Sequence, residues 1–219
     1  MERAEDERNQ MTDWRAGKAG LASKQREIGQ LEIRSRSIRV FQPAVIPGLL
    51  QVSEYSRAIM SASQRMLALS TGETEPAGVY EAVSARLRRH QVLDDAGRHF
   101  SFVITESALS NRLGRPEGML TQIERIRAVA EQPNVTVGII PADAQLTDPP
   151  THGFELIDEK WLIIDLFNTS MTSQGRSDIR LYRQLFDQYE QQAVTEIGAT
   201  LDRYFEIYRD LSRPRQPSS

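Results

Sequence analysis

The residues of this sequence best suited to chemistry are a cluster of imidazoles and carboxylates, His90, Asp94, Asp95 and His99, and two further carboxylates, Glu106 and Asp165. His90 and Asp94 are four positions apart, so on one helix they would share a face, as metal ligands sometimes do. Gly97 ends that helix and leaves the direction of His99 unset, so a solvated helix end is the plainer reading. Glu106 and Asp165 both fall at strand ends, where ligand sites of α/β folds gather, and as a pair they could do acid–base work. A structural hydrogen bond to an arginine or to a helix N-terminus is the simpler role for each. His152 stands near Asp143 and Asp148, but no G-x-S-x-G elbow supplies a nucleophile. Neither phosphate-cradling pattern, G-x-x-x-x-G-K-[ST] or G-x-G-x-x-G, occurs. Arg86, Arg88 and Arg89 form a compact basic run, yet Glu81, Asp94 and Asp95 are close by. A solvated face or an acidic protein partner fits that run better than nucleic acid does.

The elements that must position these groups follow from the apolar pattern. Residues 1–36 are rich in helix formers, with Met11, Trp14, Leu21, Ile28 and Leu31 at roughly helical spacing, and read as a helical arm broken near Gly17 and Gly20. Packing on the domain or on a partner chain would cover Trp14, Ile28 and Leu31. Arg39 to Ile46 reads as a short strand and a turn punctuated by Pro43 and Pro47, with Gly48 permitting the change of direction. A helix capped by Ser53 follows, then a second from about Thr74 to Gly97. His99–Ile104 alternates as a strand, Thr105–Gly114 holds a short helix, and Pro116 opens a longer one. Asn134–Pro141 is a nearly all-apolar strand, so the unit is a right-handed βαβ crossover. Gly153–Ile157 and Trp161–Leu166 predict a hairpin, and Ser177 is placed to cap one long helix from Asp178 to Tyr208. The expected fold is an α/β (α+β) domain over 37–211 with a small mixed sheet, covering helices, the arm over 1–36 and a Pro- and Ser-rich disordered tail over 212–219.

Length and charge bound the rest. A chain of 219 residues holds one sizeable domain, or one with a helical extension, and a formal charge of −3 gives no general attraction to nucleic acid. There is no cysteine for a disulfide or a thiolate, and no apolar run approaches a membrane span. A cytoplasmic protein without cofactor, metal or membrane association is the expectation.

A resemblance sharpens this reading. Pro47-Gly48-Leu49-Leu50-Gln51 followed by Glu54-Tyr55-Ser56-Arg57-Ala58 resembles the PGLLQT-x-x-YARA signature of bacterial regulators called WhiJ-like or antitoxin-like. These join an N-terminal XRE-type helix-turn-helix to a C-terminal domain, with an acidic residue of the linking region near the position of Glu32. Arg86 to Leu93 is similar to their R-x-x-R-Q-x-x-L helix, with His90 in place of the usual Gln. Glu106, Ala108, Leu109, Arg112 and Gly114 match an E-x-A-L segment followed by Arg and V-G, with Leu113 for the Val. Gln122-Ile123 and Asn134–Pro141 match a Q-L helix and an N-V-x-V-x-V-L-P strand, and Gly153 and Phe154 match G-x-F. Asp165 and Phe167 stand where the Tyr and Glu of the family's V-Y-x-E strand would fall. The match runs from about Trp14 to about Leu211.

The resemblance implies an effector- or partner-binding and dimerisation domain of a transcriptional regulator, non-catalytic, acting as a homodimer and with a small partner protein encoded nearby. DNA would be met only through a helix-turn-helix module. Such a module needs about 55–70 residues and does not fit before Ile38. The candidate ligand- or partner-binding residues are Gln51, Tyr55, Arg86, Arg89, His90, Glu106, Arg112 and Asp165. The alternative is a hydrolase-type enzyme using the carboxylates Glu106 and Asp165 at the sheet edge.

Overall fold

Side chains along a strand alternate between two faces, so a sheet in the interior needs apolar residues at both parities. The computed structural model, which describes residues 10–13, 20–71, 78–166 and 169–213, has such a sheet at its centre. Gln10–Asp13 (β1), Ser37–Gln42 (β2), His99–Thr105 (β3), Val135–Ile140 (β4), Phe154–Ile157 (β5), Trp161–Asp165 (β6) and Thr169–Ser173 (β7) pair in the order β1-β7-β6-β5-β2-β3-β4. The pairs β2–β3 and β3–β4 are parallel and the others antiparallel, so the sheet is mixed. Gly20–Arg34 (α1), Ser53–Thr71 (α2), Gly78–Arg89 (α3), Ser107–Ser110 (α4), Pro116–Ala130 (α5), Arg176–Gln192 (α6) and Gly198–Ser212 (α7) cover it.

The two faces carry separate cores. Ile38, Val40, Phe100, Phe102, Ile104, Ile157 and Ile163 point to one side, against α1, α5 and α7. Phe41, Val103, Phe154, Leu156, Leu162 and Ile164 point to the other, against Ile179, Phe186 and Tyr189 of α6. Phe41 and Tyr189 stack with centroids 4.1 Å apart. Burying each such side chain contributes about 1.5–3 kcal/mol, which makes the sheet the rigid frame on which a site can be built. A third cluster, Ala22, Met60, Val79, Ala82 and Val83, joins α1, α2 and α3 above the first face.

The expected α+β class with a mixed sheet is what the chain adopts. The parallel crossover β3–α5–β4 and the hairpin β5–β6 are both present. Asp158 and Glu159 turn the hairpin at φ 53° and 51°, the left-handed geometry that matches the twist of the strands. Four expectations are corrected. Gln10–Asp13 is a strand on β7, not helix, since pairing satisfies its backbone at the sheet edge. The long helix after Ser177 is two helices, because Val194 leaves helical geometry to bridge Ile139, with N–H to carbonyl distances of 2.9 and 3.0 Å. Ser173, not Ser177, serves the start of α6, accepting from Gly175 N–H at 3.0 Å and donating to Asp178 at 2.6 Å. The helix through Arg86 also tightens to a 3-10 turn at His90–Asp94, short of Gly97. Trp14, the cap at Thr74, Phe167 and the tail beyond 213 lie outside the described residues. No helix among the described residues is long and apolar enough to cross a membrane.

Candidate ligand-binding cavity

The site is built from the turn after β2. Pro47, at φ −53° and ψ 142°, sets an extended residue ahead of the 3-10 turn Gly48–Leu50, whose Leu49 and Leu50 sink into the core. Gln51 follows in extended geometry and is 2% exposed, so its amide must be satisfied internally. Its Nε2 donates to Ile46 O at 2.7 Å, and its Oε1 accepts from Ser56 Oγ at 3.1 Å. Tyr55 Oη accepts from Ile46 N–H at 3.1 Å, and burial pushes its phenol up to about 12. The turn is therefore a fixed scaffold that aims the Gln51 oxygen at one place.

That place is Arg86. Arg86 and Arg89 are three apart on α3 and share a helix face. The same face receives α1, where Gln25 and Glu32 lie two turns apart. Arg86 Nη1 donates to Gln51 Oε1 at 2.6 Å, and its Nε donates to Gln25 Oε1 at 3.0 Å. Arg89 donates from Nε and Nη2 to the two Glu32 oxygens at 2.8 and 2.5 Å, and from Nη1 to Gln25 at 2.5 Å. Glu32 is fully buried and Arg89 nearly so. Burial opposes the Arg89 charge, but the Glu32 carboxylate outweighs it and raises the guanidinium further. Gly29 allows this approach, because a Cβ there would lie 3.1 Å from Arg89 Cγ. Arg86 has no carboxylate partner among the described residues, and burial with the neighbouring Arg89 charge lowers it to about 10.

These groups border a cavity of about 330 Å³, between the sheet on one side and α1, α2 and α3 on the other. Ile28, Ile46, Ile59 and Met60 line its walls. From the sheet come Glu155 and Asp165. Glu155 pairs in register with Val40 and Ile163, so it shares their face. Asp165 has the parity of Ile163 and closes on Lys24 of α1 in an ion pair. Burial lowers the Lys24 ammonium from its ordinary range, only partly offset by Asp165. Glu155 is half-buried at the cavity edge, and this burial pushes its carboxyl up to about 7. Its Oε2 is buried and accepts no hydrogen bond from the described residues.

Of the residues expected from the sequence, Gln51, Arg86, Arg89 and Asp165 border the cavity, while Tyr55 stands behind it and holds Ile46 of its wall. His90 is adjacent, its Nε2 3.3 Å from Gly48 O. Burial, with Arg125 nearby, takes its imidazole down to about 4, so it is neutral at physiological pH. It gathers no metal set with Asp94, Asp95 and His99, and no such group occurs among the described residues. Asp95 instead holds Arg98 at 2.8 Å. Arg112 is exposed on the loop after α4 and does not itself border the cavity, although its neighbour Leu113 does.

Glu106 and Asp165 do not form a pair. β6 and β3 are separated by β5 and β2, roughly 14 Å at ordinary strand spacing, and only Asp165 borders the cavity. Glu106 is committed elsewhere, accepting from Arg203 at 2.6 Å, Tyr204 at 2.8 Å and Ala142 N–H at 3.1 Å. Burial works against its charge, but these bonds prevail and hold it below the usual carboxylate range. Sequence reasoning missed Lys24, Gln25 and Glu155 and gave Glu32 no contact. The seven-residue spacing of Gln25 and Glu32 was a usable signal for a polar stripe on α1.

The arrangement is that of an α+β domain in which helices lean over one face of a mixed sheet and enclose a charged cavity with apolar walls. The chain belongs to the DUF5753 family, a domain of unknown function, whose family model matches residues 25–200. No curated protein matches it. Among solved structures it is similar to NucT from Helicobacter pylori, with a TM-score of 0.45 and 12% identity over 86% of this chain and 98% of that one. It is also similar to TrmBL2, an archaeal chromatin protein with a novel mode of DNA binding, with a TM-score of 0.43 and 11% identity over 86% of this chain. The match covers 55% of TrmBL2, so the chain spans about half that protein's length.

Proposed function

We propose that this chain is the effector-binding and dimerisation domain of a bacterial, cytoplasmic, antitoxin-like regulator of the XRE helix-turn-helix kind, and that it is not an enzyme. The observation that carries the reading is the cavity of about 330 Å³ with α1 as one of its walls. This size is at the lower end of small-molecule sites, and its mixture of apolar walls with a few fixed polar groups suits binding. Two of its carboxylate–cation pairs, Lys24–Asp165 and Arg89–Glu32, are already closed, which favours holding a ligand over acid–base turnover. An occupant touching α1 would bias that helix, and through it whatever precedes the domain. DNA is contacted by a helix-turn-helix module and not by the cavity face. A second copy of the chain, and a small protein encoded nearby, are the proposed partners.

Sedimentation equilibrium and a thermal-shift screen of fractionated bacterial metabolites test this reading. A dimer is expected, together with a fraction that raises Tm in the wild type but not in Arg86→Gln. A monomer that no fraction stabilises would overturn it, as would a stabilising compound that is consumed over time. Gel shifts in which this chain by itself binds the DNA upstream of its gene would refute the assignment of DNA contact to another module.

A further inference from the structure

The charges around the cavity can be paired off, and the remainder describes a ligand. Lys24 closes on Asp165 and Arg89 on Glu32. Two groups without a counter-charge are left, the Arg86 guanidinium from α3 and the Glu155 carboxyl from β5, and they form no ion pair with each other. Two of the five N–H donors of Arg86 are taken by the neutral oxygens of Gln25 and Gln51. Those oxygens are fixed: Gln51 Nε2 is bound to Ile46 O, and Gln25 Oε1 also receives Arg89. The guanidinium is therefore held in one orientation with donors remaining and no anion to receive them. Glu155 keeps a buried oxygen with no donor.

We infer that the cavity takes an amphipathic zwitterion of amino-acid or dipeptide size, its anionic group on Arg86, its ammonium on Glu155 and its apolar body against Ile28, Ile46, Ile59 and Met60. This rests on the reading of the cavity as an effector site and gives the chemical class of the effector. A simple anion would satisfy Arg86 but leave Glu155 facing it unpaired, and a simple cation would do the reverse. An uncharged apolar ligand would cover both and give neither a counter-charge, the costlier arrangement for such groups out of water. Only a ligand carrying both charges completes both. Its carboxylate also suits the planar fork of an arginine.

Calorimetric titration of the full chain tests this with L-phenylalanine and the dipeptide Leu–Phe, against N-acetyl-L-phenylalanine and L-phenylalaninamide. The two zwitterions are expected to bind at least about tenfold more tightly than either capped form, the loss of one charged hydrogen bond. Arg86→Gln should remove binding of the zwitterions and of the acetylated acid alike. Glu155→Gln should remove the preference for a free amine while leaving the acetylated acid as before, with Tm confirming that both variants fold. Equal binding of the acetylated acid and phenylalanine, or no binding by either zwitterion at millimolar concentration, overturns the inference. The metabolite screen then decides separately whether the cavity is an effector site at all, because an anionic or neutral fraction that needs Arg86 would uphold that reading.

Discussion

At the scale of single residues, the cavity wall depends on charges taken out of water. The Glu32–Arg89 pair is closed by two hydrogen bonds and almost fully buried, so its halves are worth far more together than apart. Glu32→Ala leaves a buried guanidinium without its anion and should cost about 3–5 kcal/mol, read as a fall in the urea midpoint at unchanged m-value. Replacing both partners with Met should recover much of that loss, since apolar side chains of similar volume carry no desolvation cost. A single variant within experimental error of wild type would refute the claim that the pair is desolvated. Glu155 makes the complementary prediction. Burial pushes its folded carboxyl up to about 7 from an ordinary 4.5, because the loss of water around the charge outweighs the attraction of Arg89. Between those values the folded protein retains a proton that the unfolded chain has released, so this group makes stability fall as pH rises, by up to about 3 kcal/mol in all. Glu155→Gln should flatten that slope in denaturation series from pH 4.5 to 7, and identical slopes in the two proteins would exclude a strained carboxylate.

At the scale of elements, the apolar pattern announces what the sheet buries and is silent where polar residues pair. β3, β4, β5 and β6 were legible because each alternates or runs apolar. β7, with the sequence Thr-Ser-Met-Thr-Ser, offers no such pattern and is a strand only because β6 and β1 flank it. The break between α6 and α7 was hidden because Ala193 and Val194 keep helical apolar spacing, and the cause lies in another element. Gly138 of β4 leaves room for Ala193, whose Cβ would be 2.8 Å from a Cβ added at Gly138. Gly138→Ala should therefore push the linker off the sheet and cost about 1–3 kcal/mol as overpacking, seen as a lowered Tm. An unchanged Tm would show that the α6–α7 linker moves aside freely. The site was half legible for a similar reason. Gln51, Arg86 and Arg89 stand in recognisable spacings, but their partners are chosen by the packing of α1 on α3, which no local pattern encodes. Glu155 alternates with Phe154 and Leu156 and so reads as solvent-facing, yet its face of β5 lies beneath α1 and α2.

At the scale of the molecule, the asymmetry of the two sheet faces decides where an occupied cavity can be felt. The face under α6 is a continuous apolar core with stacked aromatics, whereas the face under α1 and α2 contains a void bordered by charged groups. α1 is held there by the Lys24–Asp165 pair at one end, the Glu32–Arg89 pair at the other, and Ile28 between them. An occupant between these attachments adds contacts that exist only while α1 is seated, so it must suppress local opening of α1 more than opening of α6. Hydrogen exchange at early times, before global unfolding contributes, should show Gly20–Arg34 and the segment Gly48–Thr71 slowed by saturating L-phenylalanine while Arg176–Gln192 exchanges as before. Equal protection of both faces would mean that the ligand stabilises the fold without acting on α1 in particular. Protection confined to α6 would place the binding site on the wrong side of the sheet. A selective effect on α1 is what a domain needs if contact at its cavity is to reach the chain that precedes it, because α1 is, among the described residues, the first helix and the only one that joins the cavity to that direction.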